Sequence, residues 1–228
     1  MEKLKTIILY HGSEDIIKTP MFGKGNKNND YGQGFYCTQH IELAKEWATK
    51  NNNDGYCNKY ELDTNDLKIL DLSKEKYMTL KWLSILLEHR EFDKTETTEK
   101  VSSIIKNKFI IDISKYDLVI GYRADDSYFS FAKSFLSNEI SLTSLSKIMK
   151  LGNLGLQYVL ISEKAFKKIK FIEYEKVDKS YYFKFKKRDE DARNQFVQIL
   201  KNETYDEKQI YAIDIIRKDL DLDDSRIQ

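Results

Sequence analysis

Leu9-Tyr10-His11-Gly12-Ser13 closes a short apolar run, and Asp30-Tyr31-Gly32-Gln33-Gly34-Phe35-Tyr36-Cys37-Thr38 leads straight into a helical pattern. The first stretch reads as the end of a buried strand over 6–10, and 34–37 reads as a second strand. Between them lies Pro20, the only proline, and Gly23, Gly25, Gly32 and Gly34 fall from there to Tyr36, so the connection is a glycine-rich loop. A histidine at one strand end and an aromatic on the next suit a flat polar ligand. The imidazole and backbone amides would bond its edge, and a tyrosine would stack on its face.

Working outward, Thr38 offers an N-cap and Ile41, Ala44, Trp47 and Ala48 a helical stripe, ended by the polar cluster 51–55. Segments 56–62 and 67–72 read as strands. Tyr77, Leu80, Leu83 and Leu87 mark a helix over 74–90, and Val101, Ile104 and Ile105 mark another. Segment 117–122 is a strand followed by a helix with Tyr128, Phe131, Ala132 and Phe135 inward. A helix from Leu142 stops at Gly152, 156–161 is a strand, Ser162 caps a short helix, and 171–177 is a strand. Ala192, Phe196, Ile199 and Leu200 form a late stripe, Thr204 and Glu207 a capping box, and 219–224 an aspartate-rich solvated tail. Short strands mixed with helices, without a βαβ rhythm, predict an α+β fold. The expectation is one domain over 1–228, with a helical insertion at about 74–108 and a helical C-terminal part at about 188–220. No Gly-x-Gly-x-x-Gly or Walker-type loop occurs, so Rossmann and P-loop readings have no support.

The 38 basic and 37 acidic residues nearly cancel, which argues against a globally electropositive nucleic-acid binder. Lys179 to Arg188 is locally basic, with Tyr181, Tyr182, Phe183 and Phe185 interleaved. It reads first as an exposed strand edge guarded by lysines, and second as an RNA-binding patch. Two cysteines, Cys37 and Cys57, are too few for a disulfide framework or a zinc site, and Cys37 reads as buried. No metal is expected. The charged start and the lack of a long apolar run predict a cytoplasmic protein without membrane partners.

The residues quoted also resemble a bacterial family within the ADP-ribosyltransferase superfamily. His11-Gly12-Ser13 is similar to its first motif and Gly34-Phe35-Tyr36-Cys37-Thr38 to its second. Ala124-Asp125-Asp126, Leu156-Gln157-Tyr158-Val159, and Arg188-Asp189 with Ala192-Arg193 resemble later segments. The resemblance implies two small packed β-sheets with a cleft between them, and NAD as substrate. It implies that His11 bonds a ribose hydroxyl and that Tyr36 stacks on nicotinamide. Gly12, Ser13 and Gly34 would complete the cofactor site.

The superfamily commonly places a glutamate where this chain has Gln157. Glutamine can still bond a hydroxyl, but it supplies no negative charge and no general base. Asp125 or Asp126 could supply the carboxylate, or could instead cap the following helix. His11, Tyr36, Gln157, Asp125 and Asp126 are thus the candidate catalytic residues. The implied activity is mono-ADP-ribosyl transfer from NAD to a macromolecule, a protein rather than a nucleic acid. The setting would be a bacterial toxin or phage-defence effector with a neutralising partner. An NAD glycohydrolase and an inactive nucleotide- or partner-binding module are the alternatives.

Overall fold

The computed structural model describes residues 6–74, 78–91, 95–123, 126–149, 151, 155–221, 224 and 227, with the backbone alone for 126–129. The fold is α+β, with two small sheets and eight α-helices among the described residues. Strands β1 (Thr6–Ser13), β3 (Gly55–Asp63) and β7 (Ile169–Val177) form an antiparallel sheet in the order β1-β3-β7. Strands β2 (Phe35–Cys37), β4 (Ile69–Asp71), β5 (Leu118–Tyr122) and β6 (Leu156–Leu160) form the second, in the order β2-β6-β5-β4.

The second sheet is buried on both faces. Phe35, Cys37, Leu118, Ile120 and Leu160 pack against Leu9, Tyr60 and Leu62 of the first sheet. Val119, Val159 and Leu70 face a helical layer. That layer contains α2 (Met78–His89), α3 (Glu96–Phe109), α4 (Asp126–Leu136) and α5 (Leu142–Ile148). The expected helical insertion is therefore α2 and α3, whose Leu80, Leu83, Val101 and Ile105 are core residues. Tyr77, Gly152 and the Tyr128 side chain lie outside the described residues. Ser162 does cap α6 (Glu163–Lys168), accepting from Ala165 N–H.

Helix α1 (Ile41–Ala48) crosses the first sheet at very close range. A Cβ on Gly12 would lie 1.8 Å from the carbonyl oxygen of Ala44, and one on Gly55 would lie 2.2 Å from that of Ala48. Backbone thus meets backbone there, and α1 buries Leu43, Ala44 and Ala48 while Ile41 stays exposed. Thr38 does not cap this helix. Its N–H and C=O are committed to Tyr10, and the N-cap residue is His40, which makes no side-chain cap bond.

The C-terminal part departs from expectation. The stretch Lys179–Arg188 is no strand edge: it opens α7 (Tyr181–Asn202), a 22-residue helix. The alternation of Tyr181, Phe183 and Phe185 suggests period two. The longer series Tyr181, Phe185, Ala192, Phe196 follows the helical period, and Ala192 and Phe196 enter the core. Thr204 and Glu207 open no helix. Helix α8 (Ala212–Arg217) starts later, with Tyr211 N–H donating to Asp214 Oδ2 at 3.0 Å. The aspartate-rich segment is not a free tail either. Lys108 Nζ bonds Asp219 Oδ1 at 2.5 Å and the Leu220 carbonyl at 3.2 Å, and Leu220 and Ile227 are buried. No helix among the described residues is long and apolar enough to cross a membrane.

Candidate functional site

Besides their shared core, the two sheets are joined through backbone hydrogen bonds at an antiparallel bridge. Tyr10 N–H donates to the Thr38 carbonyl at 2.7 Å, and Thr38 N–H donates to the Tyr10 carbonyl at 2.9 Å. This bridge brings His11 beside β2, where His11 Nδ1 lies 2.7 Å from the Tyr36 carbonyl oxygen. A carbonyl only accepts, so Nδ1 carries the proton. Burial lowers the His11 pKa below its ordinary 6.5, with the Tyr36 carbonyl pulling weakly the other way. The neutral ring then keeps Nε2 as an acceptor, and no partner occupies it among the described residues. Phe35 fixes the ring from the side, with centroids 4.4 Å apart.

Tyr36 is anchored at its tip. Its hydroxyl donates to the Gly32 carbonyl at 2.7 Å and accepts from Tyr31 N–H at 3.0 Å. Gly32 needs its positive φ of 70° for this turn, and a Cβ there would strike the His89 ring at 2.8 Å. Burial, and next the Asp30 carboxylate, push the Tyr36 phenol well above its usual range, so it stays protonated. Tyr36 pairs with Val159 across β2 and β6, so Tyr36, Val159 and Gln157 share one face. Gln157 is opposite Gly121, is only 4% exposed, and donates from Nε2 to Asp30 Oδ2 at 3.0 Å.

His11, Tyr36 and Gln157 therefore line one cavity, of about 760 Å³. That lies within the roughly 300–1,000 Å³ of small-molecule sites. Gly12 and Gly34 also line it. Ser13 does not: its hydroxyl donates to the Asp15 carbonyl at 2.5 Å and accepts from Asn58 Nδ2 at 3.2 Å. That bond, with Asn58 Oδ1 accepting from Ile17 N–H, fastens the loop after β1 to β3. The third residue of His-Gly-Ser is thus a loop anchor, and Gly12 is also demanded by the passage of α1. Asp125 lies outside the described residues. Asp126 is the first residue of α4, and its side chain lies outside the description.

Several lining residues carry no signal in the local sequence. Asp30 is buried, with Oδ1 3.6 Å from Arg90 Nε. Trp47 belongs by spacing to an apolar stripe. Its ring nevertheless lies under the Arg123 guanidinium at 4.9 Å, and its buried Nε1–H has no hydrogen-bond partner among the described residues. Helix α7 contributes Phe185, Lys186, Asp189 and Arg193, with Arg193 Nε donating to Asp189 Oδ2 at 3.0 Å. The basic stretch therefore borders the cavity. Arg188 pairs with the largely buried Glu46 and fixes α7 to α1, while burial raises the Glu46 pKa against the pull of Arg188 and Arg123.

The wall is chemically mixed. Acceptors and aromatic rings, among them His11, Tyr36 and Trp47, share the lining with Arg90, Arg123, Lys186 and Arg193, and Arg90 stands beside Asp30 near Tyr36. A lining of this chemistry offers hydrogen-bond acceptors, ring faces and cationic groups in one cavity. Cys37 is fully buried and its thiol is pushed up by burial, so it is inert here. No cluster of three or more His, Cys, Asp or Glu with metal-binding geometry occurs among the described residues.

A family model described as "Protein of unknown function (DUF3990)" matches residues 7–171, from β1 into β7. That span holds His11, Asp30, Tyr36, Arg90, Arg123 and Gln157, and ends before α7. No curated protein and no solved structure matches the chain.

Proposed function

The chain belongs to the DUF3990 family, and we propose that it is a mono-ADP-ribosyltransferase that uses NAD to modify a macromolecule. The observation that carries this reading is the meeting of His11, Tyr36 and Gln157 in one cavity. They come from two sheets and lie up to 146 positions apart. The same trio is singled out by resemblance to the ADP-ribosyltransferase superfamily.

The chemistry fits the residues. In the reaction the bond between ribose C1′ and the nicotinamide nitrogen breaks. The electron pair leaves with nicotinamide, which becomes neutral. Positive charge builds on the sugar until an acceptor nucleophile attacks C1′ and loses its proton. His11 Nε2 accepts from one ribose hydroxyl, and the Gln157 carbonyl can accept from another. Tyr36, fixed at its hydroxyl, offers its ring to nicotinamide. Arg123, Lys186 and Arg193 suit the pyrophosphate. Holding the sugar and leaving group in place lowers the barrier by orientation and preorganised polarity.

Incubating the full-length protein with labelled NAD and cell lysate tests this. Label on protein is the expected result. Free ADP-ribose alone would mean a glycohydrolase, in which water replaces the acceptor. Binding without turnover would mean an inactive nucleotide-binding module, the reading that the amide at position 157 keeps in play.

A further inference from the structure

We propose that Asp30 is the carboxylate of this site, a positioning residue that orients Gln157 and supplies the negative charge the amide lacks; this rests on the NAD reading of the cavity. Asp30 is 7% exposed and lines the cavity itself. Its Oδ2 accepts from Gln157 Nε2 at 3.0 Å, and its Oδ1 lies 3.6 Å from Arg90 Nε. A carboxylate accepts and does not donate, so the amide must turn its nitrogen to Asp30. The Gln157 carbonyl is thereby left for a ligand hydroxyl.

A buried carboxylate is costly unless paired, and the groups paired with this one include Arg90 and Gln157, both of the cavity wall. The local turn has other supports. Gly32 N–H donates to the Asn29 carbonyl at 2.9 Å, and Tyr36 clamps both Gly32 and Tyr31. Tyr31 is tied down separately, its hydroxyl donating to the Tyr122 carbonyl at 2.7 Å. The Asp30 carboxylate turns one oxygen to each of two side chains that line the cavity, Gln157 and Arg90. An anion one hydrogen bond away from the sugar-facing amide stabilises a cation developing there, partly offset by the Arg90 guanidinium on its other oxygen. Asp30 and Gln157 together thus divide between them what one carboxylate would do.

The division can be exchanged. Four full-length proteins separate the roles: wild type, Asp30→Asn, Gln157→Glu, and the double variant Asp30→Asn/Gln157→Glu. Each is measured for kcat and KM on NAD and for thermal melting. Asp30→Asn can still accept from Gln157 but no longer pairs with Arg90, so melting should fall, KM should change little and kcat should fall roughly 100-fold. Gln157→Glu sets two carboxylates side by side, which raises the pKa of one and again lowers kcat. The double variant restores one carboxylate and one amide with the hydrogen bond reversed, and should recover kcat to within about tenfold of wild type. Unchanged kcat in Asp30→Asn, or a double variant no better than the worse single one, overturns the proposal. If Asp30→Asn does not fold, the comparison of the double variant with Gln157→Glu decides: recovered turnover supports the proposal and no recovery overturns it. A wild type that turns over no NAD overturns the NAD reading and this proposal together. Turnover in wild type with an indifferent Asp30→Asn overturns this proposal alone.

Discussion

His11 Nδ1 and the Tyr36 carbonyl oxygen are 2.7 Å apart, so a backbone group of one candidate residue sets the tautomer of the other. The bond makes Nε2 the ring atom available to a ligand, and the lowered pKa keeps that atom an acceptor. NAD affinity measured by calorimetry should be flat above pH 6.5 and should fall below the lowered His11 pKa, where Nε2–H becomes a donor. The folded pKa is depressed relative to the unfolded value, so the associated stability is complete above about pH 6.5 and is lost as pH falls below it. Both pH dependences should shrink in His11→Gln, with His89, also lowered by burial, supplying what remains of the second.

Tyr36→Phe and Tyr36→Ala should separate the ring from its hydroxyl. Tyr36→Phe removes the partner of Tyr31 N–H and of the Gly32 carbonyl, at a cost of about 1–3 kcal/mol in stability, and keeps the stacking face. NAD affinity should therefore survive in Tyr36→Phe. It should fall in Tyr36→Ala by a further stacking contribution of about 1 kcal/mol. Denaturant melts alongside calorimetry check both statements.

Arg193→Ala should weaken NAD binding about tenfold or more, because a charge-assisted bond to phosphate is worth about 1.5–3 kcal/mol. Nicotinamide riboside has no pyrophosphate, so its affinity should barely change. Equal losses for both ligands would place Arg193 elsewhere on the ligand than assigned.

Gly12→Ala should destabilise the fold by about 1–3 kcal/mol or more, since the new methyl would meet the Ala44 carbonyl oxygen and push α1 off β1. Thermal melting reads this directly. The loss belongs to packing and should appear without any ligand present.

Much of the frame was legible because it is local. The strands around His11, Tyr36 and Gln157 are short apolar runs bounded by turn residues, and α2 and α3 carry plain helical stripes. Lys179–Arg188 misled because its alternating aromatics satisfy period two, whereas the helical series needs the longer window to Phe196. Thr38 misled because its own backbone joins the two sheets, a tertiary fact with no trace in the neighbouring residues. Asp30 was invisible for a similar reason. An aspartate in a glycine-rich loop reads as a turn residue, and its partner stands 127 positions away. Arg123 and Trp47 were lost in the same manner, one as a strand-end charge and the other as a core aromatic.

The Tyr10–Thr38 bridge has an evolutionary implication. Both of its hydrogen bonds are made by main-chain atoms, so no side chain encodes them. What limits replacement there is packing instead: Thr38 is fully buried, with its hydroxyl accepting from His40 N–H at 3.1 Å, and Tyr10 packs against Ala44, Ala48, Cys57 and Val177. Proline is excluded as well, because it removes the N–H each position donates. The alignment of His11 against Tyr36 thus rests on main-chain atoms, and a single imino acid at either position would remove one of the two hydrogen bonds that join the sheets there.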